Sequence, residues 1–228
     1  DGGAASAAGF AAFSPGPANE SGQSITNVVI SNNNPALFSV PPALALDGTL
    51  TFTPAANANG SATVTVIAQD NGGTASGGVN AVTNVFTLSV VPVNDRPVIA
   101  VAGSVTLLED QGAFSSNSFV TVISLGSADE TGQAITNYAV SSTNAALFSV
   151  VPAVDAAGTL TFTPAPNVSG TALVTVTAQD NGGTLNGGQD ASPGVSFLIT
   201  VLAVNDAPGV AFATNNVIVL EDSGPVSM

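Results

Sequence analysis

Apolar and polar residues alternate along two nearly identical stretches, VTVIAQDNGGT at Val64–Thr74 and VTVTAQDNGGT at Val174–Thr184, and each alternation runs into an acidic, glycine-rich turn. A period of two marks a strand with one buried face, and it puts Ala62, Val64, Val66 and Ala68 on the same side. Leu50 and Phe52 alternate in the same way with Thr49, Thr51 and Thr53 in Gly48–Pro54, which recurs as Gly158–Pro164. Pro54 and Pro164 lack the amide hydrogen that a ladder needs, so each is predicted to end its strand. A last strand carries Phe86, Leu88 and Val90 inward, matched by Phe197, Ile199 and Val201. The remaining predicted strands are Ile25–Ile30 and Ile135–Val140, Ala36–Val40 and Ala146–Val150, Phe119–Ile123, and a weak one around Phe10–Phe13. Variable loops are expected at 75–84 and 185–194. Seven short strands per unit, separated by turn signals and without helical periodicity, predict an all-β chain of tandem Greek-key β-sandwiches. A β-helix would need a far shorter repeat.

The repetition extends well beyond these strands. At an offset of 110, Asn19–Thr74 aligns with Asp129–Thr184 without a gap, and 36 of the 56 positions are identical. A fixed period of this length means tandem small domains. VNDRP at Val93–Pro97 recurs as VNDAP at Val204–Pro208, and LED at Leu108–Asp110 recurs at Leu220–Asp222. Asp1 lines up with Asp110 and Asp222, the phasing expected of a segment from a longer array. The expected units are residues 1–95, a first sandwich lacking its first strand, residues 96–206, a second sandwich, and residues 207–228, the first strand of a third.

Composition narrows the chemistry. Cysteine and histidine are both absent, which removes disulfides, the usual zinc, copper and haem sites, and any His-assisted nucleophile. Arg96 is the single basic residue against fifteen Asp and Glu, for a formal charge of −14. Nucleic acid and anionic membranes are thereby disfavoured as partners, and cations are favoured. The longest apolar run, Phe197–Val204, is only strand length, so no membrane span is expected, and no signal peptide pattern is visible. Low aromatic content with abundant Ala, Val, Thr, Asn and Gly fits a turn-rich β chain.

In family terms, LED, then A-D-E-T-G-Q before a strand, then V-T-A-x-D-x-G, then V-N-D-x-P, twice at one period, resembles the cadherin repeat. The resemblance is strongest to the cadherin-like and immunoglobulin-like repeats of large bacterial extracellular adhesins. It implies an extracellular or cell-surface location and calcium held between successive repeats. By position, the junction inside the chain would use Asn94, Asp95, Glu130, Asp129 and Asp180. Glu109, Asn205 and Asp206 would serve the next junction, and Glu20 and Asp70 a preceding one. Calcium prefers six to eight oxygen ligands, which clustered acids on loops can supply. The sequence departs from the family pattern in three ways. The linker lacks the first Asp and the final Asn, Ala18 and Ala128 replace the first Asp of the family's DxD, and the mid-repeat acidic motif has no counterpart between Gly158 and Thr177. One calcium per junction, or none, is therefore expected rather than three. Arg96 is a candidate partner for Asp95 or Glu130.

Simpler roles are open for the same residues. Asp70 and Asp180 precede Asn-Gly-Gly, where Asp stabilises a turn by bonding its own backbone. Asn94-Asp95 and Asn205-Asp206 precede X-Pro, which reads equally as a rigid linker turn. Glu109, Asp110, Glu221 and Asp222 fit solvated edge charges, and Asp47, Asp155 and Asp190 fit turns. Ordinary strand alternation accounts for the TxT patterns better than an ice-binding face does. No carboxylate pair is set up for acid–base catalysis, and an enzyme is the least favoured class. The reading is a structural spacer whose direct partners are neighbouring repeats of the same chain. The alternative is a self-assembling filament in which a strand such as Pro208–Leu220 completes a neighbouring copy. A glycan-binding module, with Tyr138 as the sole Tyr and no Trp, is disfavoured.

Overall fold

A computed structural model describes residues 2–213, 218 and 221. Asp1, residues 214–217 and 219–220, and residues 222–228 lie outside the described residues. With them lie Leu220, Asp222 and most of the strand read for a third repeat. The architecture is all-β, with short 3-10 turns between strands and no α-helix among the described residues.

The first sandwich contains β1 (Ala5–Ala7), β2 (Ile25–Asn32), β3 (Phe38–Leu44), β4 (Leu50–Pro54), β5 (Gly60–Asp70) and β6 (Ala81–Val90). They form two three-stranded sheets, ordered β1-β4-β3 and β2-β5-β6. The second contains β7 (Val98–Val101), β8 (Val105–Leu108), β9 (Phe114–Ser116), β10 (Val120–Ser124), β11 (Ile135–Ser142), β12 (Phe148–Val154), β13 (Leu160–Pro164), β14 (Gly170–Asp180) and β15 (Val195–Leu202). Here the sheets are β12-β13-β9 and β11-β14-β15-β8, with β7 and β10 paired beside them. Alternation decides the faces: Val174, Val176 and Ala178 are fully buried, as are Leu160 and Phe162 on the opposing sheet. β4 and β13 stop at Pro54 and Pro164.

Residues 2–95 include no counterpart of β7 and β8. In the second copy, β7 pairs antiparallel with β10, and β8 adds parallel to β15, with Val105 opposite Ile199 and Leu107 opposite Val201. Ile99, Val105 and Leu107 thereby enter a core of sixteen buried residues, against five in the corresponding cluster of the first copy. The strand expected around Phe10–Phe13 does not form, because residues 11–15, which match β10, have no β7 beside them. β1 forms instead, earlier in the chain, and Ala5 faces Phe52 where Phe114 faces Phe162 in the second copy. Phe114 stacks on Phe162 with ring centroids 4.8 Å apart, and Phe148 meets the same ring edge-on at 5.5 Å. Truncating that central ring, Phe162→Ala, is expected to cost about 3–5 kcal/mol. Phe52→Ala, at a less covered position, is expected to cost less, and urea denaturation of the two variants checks the order.

The β12–β13 turn has its own electrostatic lock. Asp155 Oδ1 accepts the Thr159 and Ala157 amides, both at 2.9 Å. The Thr159 amide, followed by that of Ala157, holds the exposed carboxyl below its ordinary 3.8 despite opposing desolvation. A depressed folded value means that the stabilisation is present above the unfolded value and is lost as pH falls through the folded one. Asp155→Ala should therefore lower the melting temperature at neutral pH, and its difference from the parent should shrink as pH falls below 3.8, as a pH series of thermal melts would show.

Candidate functional site

The linker between β6 and β7 holds no turn or bend, and Pro97 at its end is fully buried. A proline there keeps the preceding residue out of the helical region, so the chain leaves the first sandwich and enters the second without a turn. Asn94 sits at the centre of the contacts. Its Nδ2 donates to Asp180 Oδ1 at 3.1 Å and to the Gln189 carbonyl at 2.9 Å. Its Oδ1 accepts from Gln133 Nε2 at 2.7 Å, and its own carbonyl accepts the Gln189 amide at 2.8 Å. Gly182 makes this approach possible, since a Cβ there would lie 1.8 Å from Asn94 Oδ1.

Glu130 is buried and grips the linker from the other side. Oε1 accepts the Asp95 amide at 2.7 Å and Oε2 accepts the Ser127 amide at 2.8 Å. Gly126, at φ +144°, leaves space for that carboxylate. Charged acceptors on backbone amides form strong hydrogen bonds, which offsets the burial of the charge. Asp129 takes the Ser127 hydroxyl and the side-chain amide of Asn59, so it also ties the β4–β5 turn of the first repeat to the second repeat. Arg96, read as a partner for Asp95 or Glu130, gives its hydrogen bond to Gln189 Oε1.

Asp180 is 4 % exposed, and its register opposite Ile135 sets it beside the Glu130–Gln133 turn. Oδ1 accepts the Gly182 amide at 2.9 Å, the turn-forming role open to it from sequence. Oδ2 is buried with no hydrogen-bond partner, and so is Gln133 Oε1. The two orphans are linked through Asn94: because its amino group faces Asp180, its oxygen must face the amino group of Gln133, which leaves the Gln133 oxygen without a donor. Two acceptors are thus stranded at one junction, where burial without a partner is costly.

The outer end of the first repeat repeats the frame. Asp70 Oδ1 accepts the Gly72 amide at 2.7 Å, and Asn71 Oδ1 accepts the Ser24 amide as Asn181 Oδ1 accepts that of Ala134, both at 2.9 Å. Glu20 lies against Gly16 and Gln23 against Gly72, as Glu130 lies against Gly126 and Gln133 against Gly182. At the far end of the second repeat, buried Glu109 accepts the Val204 amide through Oε1 at 2.8 Å. There Glu109, Asp110 and Asp206 each offer a carboxylate oxygen within 4.8 Å of the others. Asn205 donates to the Asp206 carbonyl at 3.1 Å instead of turning toward that group.

Sequence reasoning brought Glu109 and Asp206 together but left Asp110 as an edge charge. It missed Gln133 and Gln189 altogether. Gln133 had a signal, since Gln23 stands at the same place in the first copy. Gln189 lies in the variable loop and had none.

Among solved structures, human protocadherin-24 EC1-2 is similar at 18% identity, over 78% of this chain and 81% of that one, with a TM-score of 0.47. Domains 4 and 5 of the S-layer protein SbsC are similar at 20% identity, over 78% and 72%, with a TM-score of 0.32. Drosophila N-cadherin EC1-4 is similar at 15% identity, over 78% and 41%, with a TM-score of 0.43. No curated protein matches the chain. The sequence model of the bacterial Ig domain matches residues 11–82 and again 94–189. These two blocks take in well over half of the sequence and follow its two sandwiches, so the chain belongs to the bacterial Ig domain family.

Proposed function

We propose that the chain is a spacer segment of an extracellular, surface-exposed bacterial protein, and that calcium at its repeat junctions stiffens the array. The role is structural rather than catalytic. The observation that carries it is the Glu109–Asp110–Asp206 group, which joins the end of β8 to the linker leaving the second repeat. Three carboxylates within 4.8 Å repel one another until a cation bridges them. A hard divalent ion with all-oxygen ligands suits this set, with backbone carbonyls and water completing the shell. At the internal junction the stranded Asp180 Oδ2 and Gln133 Oε1 are acceptors of the same kind, Asn94 bonds both of these side chains, and Asp95, Asp129 and Glu130 are the further candidates of that junction. Glu20 and Asp70 offer the corresponding groups to a preceding linker. Among the described residues no helix is long and apolar enough to cross a membrane.

A second reading is a junction held by hydrogen bonds alone. Asn94 favours it, because this one side chain already bridges Asp180, Gln133 and the Gln189 backbone.

Calcium titration followed by calorimetry and thermal melting separates the two. Under the calcium reading, dissociation constants on the order of 10⁻⁴–10⁻³ M are expected. Stability should rise by about 2.7 kcal/mol when free calcium reaches about a hundredfold excess over that constant. Asp206→Asn and Glu109→Gln should each abolish the response of the outer site, and Asp180→Asn that of the internal one. Melting curves unchanged between calcium and chelator leave the hydrogen-bonded junction standing.

Asn94→Ala probes that junction directly. It is expected to cost about 1–3 kcal/mol by stranding buried polar groups, and to broaden the interdomain distance distribution in small-angle scattering with or without calcium.

A further inference from the structure

Four asparagines are followed directly by glycine: Asn59, Asn71, Asn181 and Asn186. This pair is chemically labile, because glycine has no Cβ to hinder its amide nitrogen from reaching the asparagine side chain. The attack needs a side chain that can swing and a backbone that can turn, and the fold restrains three of the four. Asn71 Oδ1 accepts the Ser24 amide and Asn181 Oδ1 that of Ala134. The amides of Gly72 and Gly182, the groups that would attack, donate to Asp70 and Asp180. Asn59 is held by Asp129, and Gly60 lies in β5 opposite Val90.

Asn186 differs. It is exposed, at φ +57°, inside the single 3-10 turn Leu185–Gly187, and among the described residues its side chain has no hydrogen-bond partner. One such turn has poor hydrogen-bond geometry and opens easily. Leu185 is 83 % exposed, so no apolar burial holds the turn shut. We propose that Asn186 is a self-modification site, at which the side-chain amide is lost through a succinimide and the isoaspartate that follows loosens the linker at Asn94.

In the first step the Gly187 nitrogen bonds to Asn186 Cγ and gives up its proton, while the Cγ–Nδ2 bond breaks and ammonia leaves with that proton. Water then opens the ring. Cleavage at Cγ yields aspartate, and cleavage at the main-chain carbonyl yields isoaspartate, whose backbone runs through Cβ and Cγ and is lengthened by a carbon. No other reactant is needed. The added atom enters just before the latch on the linker. Gly188 donates to the Leu185 carbonyl at 3.0 Å, and Gln189 then gives its amide to the Asn94 carbonyl and takes the Asn94 side chain on its own carbonyl. Gly188 has little room to shift, since a Cβ there would lie 3.0 Å from Asn94 Cβ and 2.9 Å from the Gly183 carbonyl oxygen. In the first copy Ser76 occupies the place of Asn186 with the same φ, so the matching loop cannot react. The inference goes beyond the spacer role, rests on the hydrogen bonds of Asn94 and does not depend on calcium.

The test ages the whole 228-residue chain at mildly alkaline pH, native and, in parallel, unfolded in urea. An Asp-specific endoproteinase releases residues 180–189, which hold both Asn181 and Asn186, and fragment masses locate the exchange of amide for acid. A further cut before residue 186 marks aspartate there, and a mass-shifted fragment left uncut marks isoaspartate. In the native chain Asn186 is expected to react about tenfold or more faster than Asn71 and Asn181, whose hydrogen bonds must open first. In urea the rates should converge. Equal native rates, or an Asn186 that stays intact, would overturn the site. Small-angle scattering in chelator reads the consequence. The aged chain carrying isoaspartate at 186 should show a broadened interdomain distance distribution, whereas aged Asn186→Ser and fresh Asn186→Asp, which keep the normal backbone, should not. An unchanged distribution in the modified chain, or one broadened equally by Asn186→Asp, would overturn the link to the junction.

Discussion

Burial of the segment that follows the linker, Val98–Leu108, is the constraint on which the second repeat and its junction depend. Ile99, Val105 and Leu107 fill the gap between the sheets, while β7 and β8 supply backbone partners to β10 and β15. A fully buried aliphatic side chain is worth about 1.5–3 kcal/mol, so these three outweigh any single polar contact nearby. Since β7 begins directly after Pro97, anchoring it leaves Asn94 and Asp95 little freedom in where they sit. Apolar burial thus positions the polar site, and the hydrogen bonds then set its detail.

The polar detail follows one rule at both ends of the second repeat. A buried glutamate takes a linker amide: Glu130 takes that of Asp95, and Glu109 that of Val204. Burying a carboxylate is costly unless its lone pairs are used. Glu130 uses both oxygens on backbone amides and is well satisfied without a countercharge. Asp180 is not, because its second oxygen meets no donor. In a chain with one basic residue, a side-chain cation is hardly available to answer it. The imbalance is local as well as global, and it falls at the junction.

Much of the fold is legible in the sequence because strand alternation is a local signal. Val64, Val66, Val174 and Val176 declare their faces through the period of two, and Pro54 and Pro164 declare their ends. Phe10–Phe13 misleads for the opposite reason, since a strand exists only where a partner lies beside it and that partner is remote in sequence. At the junction, Asp180 and Glu130 stand out because acids recur at one phase of the repeat. Their amide partners do not, because Gln133 and Gln189 carry no charge pattern and owe their role to a contact with Asn94. Asp110 escapes notice because its proximity to Asp206 is created by β8 running parallel to β15.

The organisation also makes neighbouring repeats thermodynamically dependent. In an array where each unit buries its own core, stability is a sum of unit and interface contributions. Here the closing segment of the second sandwich is continuous with the linker that makes its junction, so releasing Asn94 and Asp95 also frees the start of β7. Conversely, withdrawing β7 and β8 exposes Phe119, Phe197 and Val201 and loosens the linker at the same time. The residues beneath them are well covered while the segment is in place: Phe119 is 4 % exposed, Phe197 4 % and Val201 2 %. Junction and core therefore behave as one cooperative unit, and any ligand that tightens the linker also stabilises the sandwich behind it.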